Sequence, residues 1–413
     1  MAWRNAWTML GLLTAGQIAM SSGSYLWGPL APFIVAELGV SKAQFGAVQS
    51  AFYVVGALMA TPAGVLADRF DGRWLLLACL LAMAIPLALL SRAGTLGAVT
   101  VLAGLCGLGN GAINQVGARG VLHWFPPQRR ATAMGLRQTG NMLGAALAAA
   151  ALPGLAQWLG WRSAVLAVAA VAAVAAVVSG ALYREAPVDT GAAPGKARPG
   201  LKAVAGQFLR NRPFMRLLLL GPFIAYAQIA MTTFFVLFLT DRQHLSAALA
   251  GSLLGGALLA AAVGRVVWGV IADRFFATTR SRCLALVMAL TALAAGALAW
   301  LPATAPPWLA GLIGLLYGFC AMGWQGLLMV VIAESVGIAL AGTAVGLLIN
   351  VAWVGFVLGP VVFGALADGP GYVAAWVSVA GVSALCAAVL WRPAPASPAV
   401  NPTGSPTVSP PAT

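Results

Sequence analysis

The sequence predicts an all-α integral membrane protein, with twelve transmembrane helices in two pseudo-symmetric six-helix bundles. Three observations carry this. Hydrophobic residues make up 61% of the 413-residue chain and charged residues only 8%, against about 25% charged in soluble domains, so no water-facing surface can be built around such a core. Apolar runs of about 20 residues, the length that crosses the hydrocarbon core as a helix, recur twelve times between Ala6 and Trp391. Finally, short strings from the first half return in the same order in the second.

Taken in chain order, the expected spans are 6–34, 43–67, 74–91, 97–124, 131–158, 162–183, 214–239, 247–272, 283–301, 307–333, 341–367 and 372–391. The first run is too long for the apolar stretch of a signal peptide and stays as helix 1. The spans divide the chain into an N-terminal bundle (1–185), a linker rich in Ala, Gly, Pro and Lys (186–212), a C-terminal bundle (213–392) and a Pro-rich tail (393–413) expected to be disordered. The net charge of +14 does not point to nucleic acid, because the basic residues sit between apolar runs rather than along one patch. They crowd into the segments on the side of the two termini, leaving only Lys42, Arg92, Arg162 and Arg242 opposite. Lys and Arg resist translocation, so both termini are expected in the cytoplasm and the chain in the inner (plasma) membrane.

The repeat is collinear. QIAMSS from Gln17 returns as QIAMTT from Gln228, GVLADRF from Gly64 as GVIADRF from Gly269, and TAMG from Thr132 as TAVG from Thr343. A duplicated six-helix unit is what this implies. The loop string GVLADRFDGR (Gly64 to Arg73) resembles the signature of the major facilitator superfamily. That resemblance implies secondary transport by rocking of the two halves, with Asp68, Arg69, Arg73, Asp273 and Arg274 as a latch between them; the competing reading of this loop is that its arginines only set topology.

A substrate in such a repeat sits near the bilayer midplane between the halves. The polar side chains deep in the spans supply the candidates: Gln17, Tyr25, Asn114, Arg137, Asn141, Gln228, Arg265, Trp324, Gln325 and Asn350. Asn114 and Gln325 occupy equivalent places in the two repeats. Arg119, Arg137 and Arg265 lie within spans, yet every Asp and Glu falls near a span end or in a loop. An intramembrane Arg costs about 2.5–3.5 kcal/mol on insertion scales, so an anionic passenger is the expected counter-ion, and a guanidinium suits a carboxylate better than an ammonium does. Snorkelling of Arg265 to the headgroups is the alternative.

Further strings resemble the oxalate/formate antiporters and monocarboxylate porters: GRVVWGVIADR from Gly264, YLWGPLAPFIVAELGVS from Tyr25, and HWFPPQRRATAMG from His123. The resemblance implies that Arg265 binds a substrate carboxylate and that Asn114, Asn141 and Gln325 replace pocket aromatics. Ala352 stands where those antiporters carry a basic residue in helix 11, so one carboxylate or another monoanion is implied rather than a dicarboxylate. The function expected is therefore transport of a small organic anion, the alternative being a proton-coupled exporter of drugs or amphiphiles. Against the exporter stand the missing buried carboxylate and the absence of an Arg in helix 4 at Ala103 or Leu105. No nucleophile with a paired base, no phosphate loop and no Cys/His metal cluster is present, so no enzyme activity, cofactor or metal is expected. The five cysteines read as inert core thiols, and the chain as a monomer in lipid.

Overall fold

A computed structural model describes residues 2–184, 201–336 and 338–392; the expected disordered tail and residues 186–200 of the expected linker lie outside them. Fifteen α-helices follow one another: α1 (Ala2–Ser24), α2 (Trp27–Leu38), α3 (Lys42–Arg69), α4 (Gly72–Leu90), α5 (Leu96–Trp124), α6 (Pro127–Leu159), α7 (Trp161–Leu182), α8 (Leu201–Arg210), α9 (Arg212–Gln243), α10 (Ala247–Phe275), α11 (Arg280–Ala299), α12 (Pro307–Ala321), α13 (Trp324–Val336), α14 (Ile338–Asp368) and α15 (Tyr372–Trp391).

Eleven runs among the described residues are long and apolar enough to cross a bilayer, and the α1–α2 pair supplies the twelfth crossing in two pieces. The expected single helix over 6–34 breaks because Pro29 has no N–H to give and its ring excludes a helical carbonyl at Tyr25. The expected helix over 307–333 likewise breaks between Ala321 and Trp324. Within the expected linker, 201–210 forms α8, whose Phe208 packs on Phe214 with ring centroids 4.7 Å apart. Apolar residues at Leu201, Val204, Ala205 and Phe208 fall at helical spacing in the sequence, the pattern of an amphipathic turn.

Polar caps start the helices where the sequence supplies them. Ser41 and Gln44 form a capping box at α3, while Asp71, Thr95, Asn211 and Ser246 accept from first-turn amides of α4, α5, α9 and α10.

Helices α1 to α7 pack among themselves, as do α9 to α15, and the two sets meet through α3 with α14, α6 with α10, and α2 with α9. These crossings cluster at the end away from the chain termini. Gly46 faces Pro360 so closely that a Cβ would collide with its carbonyl oxygen, and the Ser50 hydroxyl donates to the Val357 carbonyl. Beside them Phe45, Phe234, Phe363 and Trp376 form an aromatic plug, with Phe234 stacked on Phe363 at 4.7 Å. Toward the terminal end the halves diverge, and the polar Asn114, Gln138 and Asn350 are exposed there. The result is a cleft closed at one end.

Candidate functional site: a polar cleft with two inward-facing arginines

Two arginines face the interior, one from each half. Arg137 on α6 is only 2% exposed. It donates to Gln17 Oε1 at 2.9 Å and Asn114 Oδ1 at 3.3 Å. Gln17 Nε2 in turn reaches Ser21 Oγ at 3.3 Å, and Ser21 Oγ reaches Asn141 Oδ1 at 2.8 Å. Glycine at 117 is what lets the guanidinium lie against α5, since a Cβ there would collide with it.

Arg265 on α10 is half-buried and turned inward, not out to the headgroups. Its Nε donates to the Met322 carbonyl at 3.3 Å, at the break between α12 and α13, and Trp268 Nε1 caps the Phe319 carbonyl of the same broken helix at 3.1 Å. Tyr25, in the α1–α2 break, sits beside both the Arg265 guanidinium and the Gln228 amide. The two helix breaks therefore meet around Arg265.

Next to Tyr25 lies Tyr53, stacked on Phe356 at 5.2 Å and edge-on to Trp353 at 5.7 Å. Gln228 Oε1 and Gln49 Oε1 are buried without a hydrogen-bond partner among the described residues. Such orphaned acceptors in a buried wall are the mark of a site that expects a ligand or water.

The remaining sequence candidates separate into two groups. Gln325 is half-buried on the first turn of α13, and Asn350 is exposed on α14 with its Nδ2 returned to Gly346 O at 2.9 Å. Trp324 is 5% exposed inside the α9–α13 core, its Nε1 unpartnered, so packing accounts for most of its surface. Among the latch candidates, the Asp68 side chain lies outside the described residues. Arg73 turns to the Gly180 carbonyl and Trp74 of its own half. Asp273 pairs with Arg280 at 2.9 Å in its own turn, and Arg274 lies over Phe275. Arg69 is exposed.

Among the described residues a charged link between the halves lies at the opposite end, in residues not among the sequence candidates. Asp368 Oδ1 and Oδ2 accept from the Lys42 and Ala43 amides at 3.0 and 2.8 Å. Lys42 Nζ is 3.5 Å from Asp241, which also accepts from the Tyr372 hydroxyl at 2.8 Å. Opposite charges at the ends of spans facing the same side were the available signal. On that side too, Trp161 and Arg162 both donate to Glu37, and the Arg162 guanidinium first, then the indole, hold its carboxyl below the usual carboxylate range.

A separate apolar groove of about 880 Å³ runs between α11 and α15, lined by residues such as Leu293, Gly296, Trp300 and Gly381. It offers no polar group for a charged ligand.

Comparison with known proteins fits this architecture. The chain is 32% identical over 252 residues to the "Probable nitrate/nitrite transporter NarK2" of Mycobacterium tuberculosis, covering 60% of this chain and 62% of that protein. It is 28% identical over 156 residues to the "Probable nitrate transporter NarT" of Staphylococcus aureus, covering 37% and 40%. The match thus spans less than two thirds of either relative. These relatives correct the expected kinship with oxalate/formate antiporters and monocarboxylate porters, which rested on three short strings. In fold, the chain superposes on a bacterial homolog of the human lysosomal transporter Spinster in an inward-facing and unoccupied conformation, with TM-score 0.81, 19% identity and coverage of 94% and 96%. The nucleoside transporter NupG gives 0.73 at 16% identity, with coverage of 92% and 98%. A profile of the Major Facilitator Superfamily matches residues 13–353, and the chain is a multi-pass membrane protein belonging to that family.

Proposed function

We propose that the chain carries a small monovalent oxyanion of the size of nitrate or nitrite by alternating access, with Arg265 as its anchor. The observation that carries this reading is electrostatic. Arg265 is held inside the cleft with a backbone carbonyl as its hydrogen-bond partner, and the chain's Asp and Glu residues all lie at helix ends or in connecting segments. A cation kept from water without a counter-ion favours whatever anion enters. The names of the relatives support an inorganic oxyanion over the monocarboxylate expected from sequence; both present the same acceptor geometry to a guanidinium.

Tyr25, Gln228, Asn114, Asn141 and Gln325 line the route, and Tyr53 with Trp353 and Phe356 forms its apolar wall. With both termini in the cytoplasm, as the Lys and Arg distribution favours, the cleft faces inward and the Asp368 contacts close the outer end. The exporter alternative draws no support from the cleft, which among the described residues has no carboxylate to carry its proton.

The test is uptake of labelled nitrate into proteoliposomes, with nitrite, formate and tetraphenylphosphonium as competitors. Competition by the anions and indifference to the cation is expected. Transport of the cation, with no uptake of any anion, would overturn the proposal.

A further inference from the structure

The buried network around Arg137 has a direction, and that direction bears on what the cleft accepts. A guanidinium donates hydrogen bonds and accepts none. Arg137 therefore takes the oxygen of each amide it touches, Gln17 Oε1 and Asn114 Oδ1. With its oxygen committed, Gln17 has only Nε2 to offer Ser21. The Ser21 hydroxyl, having accepted, passes its single proton to Asn141 Oδ1. One fixed charge thus sets the orientation of three amides on α1, α5 and α6.

The ends left over are the NH₂ groups of Asn114 and Asn141. Gln17, Ser21 and Arg137 are 3%, 2% and 2% exposed, whereas Asn114 is exposed and Asn141 half-buried. Arg137 Nε stays unpartnered, and no carboxylate pairs with the guanidinium, among the described residues. An amide free to rotate can meet a ligand with either end; here rotation of Asn114 would set an NH₂ against the guanidinium, and rotation of Asn141 would take the acceptor from the Ser21 proton.

We infer that Arg137 is a positioning residue: through Gln17 and Ser21 it presents Asn114 and Asn141 to the cleft as donors, so the site selects anions that only accept hydrogen bonds over those that must also donate one. This rests on the anion reading above and deepens it. Nitrate, nitrite and ionised carboxylates satisfy the two amide donors at Asn114 and Asn141. Bicarbonate, planar and monovalent like nitrate, carries an O–H that neither the Asn114 nor the Asn141 amide can accept in this orientation, and an unmet donor is costly.

The experiment compares nitrate and bicarbonate binding at pH 8 by titration calorimetry on the full chain in nanodiscs, alongside the melting temperature without anion. The wild type should prefer nitrate by roughly tenfold or more. Ser21→Ala removes the link without changing charge and lets the Asn141 amide turn, so the preference should shrink several-fold while the anion-free melting temperature stays near wild type. Arg137→Gln should shrink it further and weaken nitrate itself. A nitrate preference left at the wild-type value in Ser21→Ala overturns the inference, as does a fall in melting temperature with the preference unchanged. If nitrate binding then depends on Arg265, the anion reading stands without the Arg137 relay; if the wild type binds neither anion, both fall.

Discussion

The Asp368 carboxylate at the end of α14 caps the first turn of α3 across the two halves, accepting from the amide of Lys42 at 3.0 Å and that of Ala43 at 2.8 Å. A negative charge meets the positive end of a helix dipole with both oxygens used. Because the partner is backbone, mutation of Lys42 cannot remove it.

Asp368→Asn keeps the shape but loses the charge and one acceptor. The closed end should open more often, by about 1–2 kcal/mol. Cysteine-labelling rates at positions under the cap, such as Phe45 and Phe363, should rise roughly tenfold; unchanged labelling would mean that the aromatic plug alone closes this end.

Gly46→Val should obstruct closure. A side chain there collides with the Pro360 carbonyl, and a rigid backbone contact relaxes poorly. We expect normal membrane insertion with transport reduced by more than about tenfold, measured as uptake per inserted protein. Full uptake would show that α3 and α14 do not need this close approach.

Glu37 gives a pH dependence with a fixed sign. Its carboxyl is depressed by Arg162 and Trp161, so it contributes stability above the ordinary carboxylate range and loses it as pH falls through the depressed value. The carboxylate side is 48% exposed, so the effect is small. Glu37→Gln should flatten the acid limb of the melting temperature against pH; a wild-type acid limb in that variant would place the titrating group elsewhere.

The twelve crossings were legible in the sequence because lipid demands long apolar runs, and the strings at Gln17 and Gln228 disclosed the duplication. The breaks at Tyr25 and Met322 were less legible. Pro29 signalled the first, but no proline marks the second; tertiary contacts fix it, with Arg265 and Trp268 holding the free carbonyls of α12. Arg137 and Arg265 stood out as charges in apolar runs, and both point inward. Gln17, Asn114 and Asn141 stood out as polar groups in the spans, but their linkage did not, since Ser21 and Asn141 are distant in sequence and meet only when α1 packs on α6. The latch strings drew attention to the terminal end, whereas the polar contacts that bridge the halves involve Lys42, Asp241 and Asp368, whose pairing depends on which way the halves have rocked.

Anion transport as proposed depends most on the Arg265 guanidinium acting as the anion's counter-charge. Nitrate binding to the Arg265→Lys protein, measured by titration calorimetry in nanodiscs beside the wild type, tests it most directly. The ammonium keeps the charge but not the planar fork, so the account predicts a loss of affinity of about tenfold or more with the anion-free melting temperature close to wild type. Wild-type nitrate affinity in that variant would contradict it.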